Sequence, residues 1–302
     1  MASKHSKSIF DFKGFFVVCF NLMSKKVFDV PIPIKIIIFV LIASLVLSLI
    51  FVGNVFLPGI SHKNMLKKAS YTFQTNKSKV GLELLSQQNP DIKAWLKIDE
   101  TSINYAVCQG ENDSYYLNHN QRGKKSRYGA IMMLSNDDIS RKNGDKNIVI
   151  FGNNMKDGTM FGSLKEYRKL EYFKAHPTIK LFYGDNQENY VIFSVMLVGS
   201  VSDDTDYKPY KSYFANEEEF NNWYAETRSR SIINTTVKAE HGDNILTLVT
   251  VANDFNGARL VVMAKKVDDW SAERVDVTAA TINSHIKYPK IWYENKGLAY
   301  PY

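Results

Sequence analysis

The chain has 302 residues, of which 45% are hydrophobic and 13% aromatic, a globular composition that excludes an intrinsically disordered chain. The formal charge is +7, but six lysines against two aspartates place +4 of it in residues 1–58. The remaining +3 is an ordinary solvated surface, and without a recognition helix or stacking motif it excludes a nucleic-acid partner.

In chain order, residues 1–35 form a short lysine-bearing tail. Within it, residues 9–26 are rich in Phe yet too short and too interrupted to span a bilayer. They read either as an interfacial stretch or as a mobile tail. Residues 36–57 follow as IIIFVLIASLVLSLIFVGNVFL, 22 residues without a charge. At ~1.5 Å per residue that crosses a hydrocarbon core of ~30 Å. Pro31 and Pro33 precede the run, and Pro58-Gly59 is expected to close it. No small-residue cleavage site follows, so the expectation is one uncleaved transmembrane signal anchor. Lysines crowd both flanks, and the charge rule barely separates the orientations. A single anchor before a large domain favours a cytoplasmic N-terminus and an extracellular C-terminal domain at the cell membrane.

Residues 58–88 read as a helical stalk, with Gly81 and residues 76–79 expected to interrupt it. From Asn89-Pro90 the pattern changes to short strands at 94–98, 103–107, 130–134, 147–151, 178–182, 189–198, 245–251 and 259–266. Eight such strands with intervening turns suggest a closed or nearly closed barrel. One helix interrupts them: Phe220, Trp223, Tyr224 and Thr227 share a face, and Asn216 with Glu219 forms an N-cap pair. That aromatic stripe is expected to face the core. Cys19 and Cys108 fall on opposite sides of the expected span, so no intrachain disulfide is expected. Cys108, in an alternating strand pattern, reads as a small buried residue.

Two stretches carry the functional signal: Gly152-Asn153-Asn154-Met155, and Thr247-Leu248-Val249-Thr250-Val251 followed by Arg259. Together they resemble the active-site frame of the class B sortases, membrane-anchored cysteine transpeptidases of Gram-positive bacteria. In that family the first stretch reads Gly-His-Asn-Met and the second ends Thr-Cys, with an arginine shortly after. The resemblance runs from about Asn89 to Lys266. It includes Asn89-Pro90-Asp91-Ile92, Tyr116-Leu117-Asn118-His119, the run from Asn154 to Leu164, His176-Pro177-Thr178-Ile179 and the segment Asn256 to Val262. It implies a mainly β fold, a sortase-like eight-stranded β-barrel with added helices. Residues 89–266 would form that domain and residues 267–302 a C-terminal aromatic tail, expected to pack back on the barrel.

The family's chemistry needs a cysteine thiolate to attack a peptide carbonyl, a histidine to move protons near neutral pH, and an arginine beside the developing negative charge. Asn153 stands at the histidine position and Val251 at the cysteine position; of the three only Arg259 remains. An amide does not titrate near pH 7 and valine has no heteroatom. Losing one member of a cooperating set costs on the order of 10⁴ to 10⁶ in rate. The expectation is a protein inactive by this mechanism. Alternation along the strand turns Thr250 to the opposite face from Val251 and makes it a poor substitute nucleophile. Cys108 matches no catalytic position, and the six histidines lie in the tail, the stalk, loops or structural segments.

Phe151, Leu117, Val249 and Thr250 are the expected groove residues. Phe151 and Val249 stand where the family carries Tyr and a small polar residue, and the run 130–134 is apolar through Leu134 where the family carries an acid. Arg259 reads either as a groove contact for a backbone or carboxylate, or as a structural arginine. In both cases an acidic partner is expected, with Asp254 as the candidate. No metal-ligand spacing occurs and no cofactor is expected. The leading expectation is a membrane-tethered binder or scaffold for sorting-signal peptides, pilins or other surface proteins, or for an active sortase. The alternative is a transpeptidase or hydrolase anchoring surface proteins to peptidoglycan through a non-standard nucleophile.

Overall fold

Residues 32–76, 78–142, 144, 146–199, 207, 209–268 and 277–302 are described by a computed structural model of the chain. The Phe-rich stretch 9–26, Cys19, nearly all of the tail 1–35 and part of the loop 200–213 lie outside the described residues. The chain divides into two units, residues 1–64 and 65–302.

In the first unit, helix α1 (Ile32–Phe51) takes Pro33 into its first turn, where a missing N–H costs nothing. A π-helical turn at Val52–Phe56 follows, and helix α2 begins at Leu57 and runs to Thr75. The expectation that Pro58-Gly59 ends the helix is therefore corrected: the helical backbone continues through both, directly after the π-helical turn whose Val52 carbonyl accepts from the Leu57 amide. Ile36, Phe39, Leu41 and Leu47 are all exposed. Among the described residues, one helix is long and apolar enough to cross a membrane.

In the second unit, eight strands close a barrel: β1 (Ile92–Lys97), β2 (Asn104–Cys108), β3 (Ile131–Met133), β4 (Asn147–Phe151), β5 (Thr178–Tyr183), β6 (Asn186–Val198), β8 (Ile245–Val251) and β9 (Arg259–Val267). Their order around the barrel is β1-β2-β3-β4-β8-β9-β6-β5. The β2–β3 and β4–β8 pairs are parallel and the others antiparallel. This is the expected eight-stranded barrel, and β4 and β8 have the bounds read from the sequence. Alternation sorts the side chains. Leu96, Val107, Ile150, Leu248 and Val262 belong to the central core, while Val249, Val261 and Met263 belong to a second cluster on the other face.

That second cluster is covered by helix α5 (Glu217–Arg230), which contributes Phe220 and Trp223. Asn216 Oδ1 accepts from the Glu219 amide at 2.9 Å, so the expected cap is present. A third cluster lies around Trp95, Ala106, Cys108 and Phe182, covered by Ala69 and Phe73 of α2 and by Leu82 and Leu85 of α3 (Ser78–Ser86). Phe73 stacks on Trp95 with ring centroids 4.5 Å apart. The helix stops at Thr75, at the start of the expected interruption 76–79, but Ser78 and Lys79 already belong to α3, and Gly81 lies inside it and interrupts nothing. A Cβ on Gly81 would sit 2.9 Å from the Phe73 Cα: the glycine lets the two helices touch.

The short helix α4 (Leu170–Ala175) joins the loop after β4 to β5. A two-stranded ribbon not expected from sequence pairs β7 (Ile233–Asn234) with β10 (Thr281–Ile282). It holds the C-terminal segment, where Asn283 and Lys287 amides donate to the Ile232 and Ser229 carbonyls. Tyr288 and Trp292, the latter in α6 (Lys290–Asn295), stack at 4.1 Å and pack against the central core.

Candidate functional site

Strands β4 and β8 run parallel, with Phe151, the last residue of β4, opposite Val249, two residues short of the end of β8. The Gly152 amide donates to the Val249 carbonyl at 3.1 Å and extends the ladder one residue past β4. Gly152 has no room for a side chain, because a Cβ there would lie 2.5 Å from Ile131 Cδ1 and 2.7 Å from the Phe161 ring. Thr250 Oγ1 donates to the Gly152 carbonyl at 2.7 Å, and Asn154 Nδ2 donates to the Val251 carbonyl at 2.9 Å. These contacts bring residue 153 and residue 251 to the same end of the barrel.

The run from Asn154 to Leu164 is a turn fastened to that end. Asp157 Oδ1 accepts from the Thr159 amide and hydroxyl, at 3.2 and 2.6 Å. The Phe161 amide returns to the Asn153 carbonyl at 3.1 Å. The Met160 amide donates to the Tyr105 hydroxyl at 3.1 Å, and burial pushes the Tyr105 phenol up to about 12. Asn153 Nδ2 uses both hydrogens on main-chain carbonyls, Leu117 at 3.0 Å and Tyr128 at 3.2 Å. Its Oδ1 has no hydrogen-bond partner among the described residues.

A cavity of about 180 Å³ opens at this end, lined by Asp113, Leu117, Met132, Leu134, Phe151, Gly152, Asn153, Val249, Thr250, Val251 and Arg259. All seven residues singled out in the sequence meet here. Val251 is 43% exposed and Leu117 47%, which are high values for large apolar side chains. Thr250 is buried and shares the strand parity of Leu246 and Leu248 in the central core, as alternation requires, although it still touches the cavity. Phe151 packs edge-on against Tyr210 at 5.6 Å. Burial pushes the Tyr210 phenol up to about 12, against the opposing pull of the Arg259 charge.

Arg259 faces Val251 across the β8–β9 ladder. Its Nη1 donates to the carbonyls of Gly257 at 3.2 Å and Ala258 at 3.0 Å. The expected partner is corrected: Asp254 holds Arg168 instead, through a two-pronged pair at 2.8 and 3.1 Å. Planar guanidinium and carboxylate match in that geometry, and Arg168 takes both oxygens. Among the described residues no carboxylate lies within 4.0 Å of Arg259.

A second cavity of about 280 Å³ adjoins the first and shares Thr250 and Val251. Lys165, Arg168, Asn154, Asn253 and Asp254 give it a polar wall. Nothing in the sequence pattern pointed to it, nor to Asp113 at the rim of the first cavity. The apolar run 130–134 did signal Met132 and Leu134.

Among the described residues, neither cavity is lined by a histidine or a cysteine. Cys108 is buried in the third cluster, where burial raises its thiol far above the ordinary range. The His119 ring stacks on Tyr115 at 4.0 Å and bonds its carbonyl, and His285 bonds Ser284. The groove as built offers largely apolar walls, the Asn153 amide oxygen and the Arg259 guanidinium, with the Asp113 carboxylate at its exposed rim and the Thr250 hydroxyl turned to the Gly152 carbonyl.

No protein-family model matches the chain. Sortase B of Listeria monocytogenes is 31% identical over 210 residues, covering 66% of this chain and 82% of that protein. Sortase B of Staphylococcus aureus is 30% identical over 185 residues, covering 61% and 73%. Among solved structures, a Staphylococcus aureus sortase B–substrate complex superposes with a TM-score of 0.64 at 26% identity, covering 70% of this chain and 98% of that one. Clostridium perfringens sortase B superposes with a TM-score of 0.56 at 33% identity, covering 62% and 99%. With the barrel, the shared strand ends and these relatives in agreement, the chain belongs to the sortase B family.

Proposed function

We propose that this chain is a membrane-tethered, non-cleaving member of its family that holds a sorting-signal peptide in the groove at the ends of β4 and β8. One observation carries the reading: the groove is intact and apolar, yet Asn153 and Val251 occupy the positions where a proton-transfer group and a nucleophile are needed. A sortase B relative has been solved as a substrate complex, which supports a peptide ligand for the corresponding groove here. Arg259 is the charged contact, and Phe151, Leu117, Val249 and Thr250 form the walls. The peptide would come from a surface protein or pilin, and an active sortase is a further candidate partner. The apolar helix would anchor the chain in the cell membrane with the barrel outside.

The test is cleavage of a panel of fluorogenic sorting-signal peptides by the full chain in detergent, beside the double variant Asn153→His, Val251→Cys. The native chain is expected to bind without cutting, and the double variant to cut. Cutting by the native chain overturns the reading.

A further inference from the structure

We infer that the groove is built for the free C-terminal carboxylate of a peptide, rather than for an internal stretch of chain; this rests on the peptide-binding reading above. Arg259 is half-buried, lines an apolar cavity and has no acidic partner within 4.0 Å among the described residues. Only its Nη1 is engaged, by two main-chain carbonyls; Nε and Nη2 have no hydrogen-bond partner there. A guanidinium so placed gains most from a carboxylate, which accepts from two parallel N–H groups, whereas an internal carbonyl supplies one neutral oxygen.

The contrast with Arg168 makes the vacancy specific. That arginine, on the wall of the adjoining cavity, is satisfied by both oxygens of Asp254. Asp113, the acid on the first cavity's wall, is exposed, and its Oδ1 accepts from the Ser135 amide at 2.6 Å.

Asn153 supplies the complementary half. With both Nδ2 hydrogens held by Leu117 and Tyr128, the amide cannot rotate without losing them, so its Oδ1 is fixed as an acceptor. A terminal residue offers this pair of groups what it needs: one amide N–H for Asn153 and one carboxylate for Arg259. At about 180 Å³ the cavity is smaller than the ~300–1,000 Å³ of a drug-sized ligand site and suits one or two terminal residues. Val251, where the family's nucleophile would stand, leaves an apolar floor that forms no bond with the carboxyl carbon.

The experiment uses the full chain in detergent micelles and a library of N-acetylated tetrapeptides, each synthesised as the free acid and as the C-terminal amide, with affinities read by fluorescence anisotropy. The acids are expected to bind about 10- to 100-fold more tightly than their amides, the worth of one charged hydrogen-bond pair. Arg259→Met is expected to erase that difference and Arg259→Lys to restore part of it. The acid–amide comparison on the native chain needs no variant to fold. Equal affinity for acid and amide overturns this inference while leaving the peptide-binding reading in place. Absence of binding by any peptide in either form, including internal sorting-signal sequences, overturns both.

Discussion

Asn153 and Leu117 are joined by a hydrogen bond of 3.0 Å from the asparagine Nδ2 to the leucine carbonyl, and the same nitrogen also reaches the Tyr128 carbonyl. Asn153 is thus part of the scaffold that sets the groove wall. Asn153→Ala is expected to leave two carbonyls without their donor and cost about 1–2 kcal/mol. Thermal unfolding followed by circular dichroism would register this as a downward shift of a few degrees, and a Tm unchanged by the substitution would contradict the structural role.

Gly152 has no space for even a methyl group, with Ile131 and Phe161 both inside 3.0 Å of a Cβ. Gly152→Ala is expected to destabilise by about 1–3 kcal/mol, the usual cost of overpacking. Because Gly152 also takes the Thr250 hydroxyl, the same change should loosen peptide binding. Equilibrium urea unfolding, together with anisotropy on the folded fraction, separates the two effects.

Glu188 is buried and accepts from Tyr190, with Arg141 at 3.3 Å and Lys266 at 3.1 Å. Burial alone would raise its carboxyl, but the Tyr190 hydrogen bond and the two cations together outweigh burial and hold it below the ordinary 4.5. A carboxylate with a depressed folded value stabilises fully above its unfolded value, and that stability is lost as pH falls through the folded value. Stability should therefore be flat above about pH 5 and decline progressively below pH 4.5. Glu188→Gln is expected to lose about 3 kcal/mol at neutral pH by leaving two cations uncompensated, and to flatten part of the acid decline. Urea midpoints measured from pH 3 to pH 7 for both proteins check the sign.

Cys108 is fully buried with its thiol held protonated, whereas residue 251 is exposed. Iodoacetamide at pH 8 is expected to leave Cys108 unmodified in the folded chain and to label Val251→Cys within minutes. Peptide mass mapping distinguishes the sites, and modification of native Cys108 at the rate of an exposed thiol would refute the assignment.

Much of the barrel was legible because β4 and β8 are buried along nearly their whole length and read as short stretches of apolar and β-branched residues bounded by polar turns. The glycine–asparagine turn and the Thr-Val strand end were legible as motifs for the same reason: each is a local stretch of chain. What the sequence hid was long-range. The pairing of Asp254 with Arg168 spans 86 residues, and nearness in sequence favoured Arg259 instead. Gly81 looked like a helix breaker because its reason, the Phe73 backbone, lies on another helix. The β7–β10 ribbon is two residues per strand, too short for any periodicity to register.

The parallel meeting of β4 and β8 also sets when the groove can exist. Gly152 and Thr250, whose hydrogen bond closes its inner end, are 98 residues apart in the chain. Contacts of such separation are made late, after the loop-closure entropy of the intervening segment has been overcome. During synthesis no nascent chain shorter than about residue 260 can present the groove, because Arg259 and its strand have not emerged. Occupancy of the groove therefore reports a barrel whose last strand is in place, and a ligand captured there would distinguish such chains from half-folded forms and from any form truncated before β9.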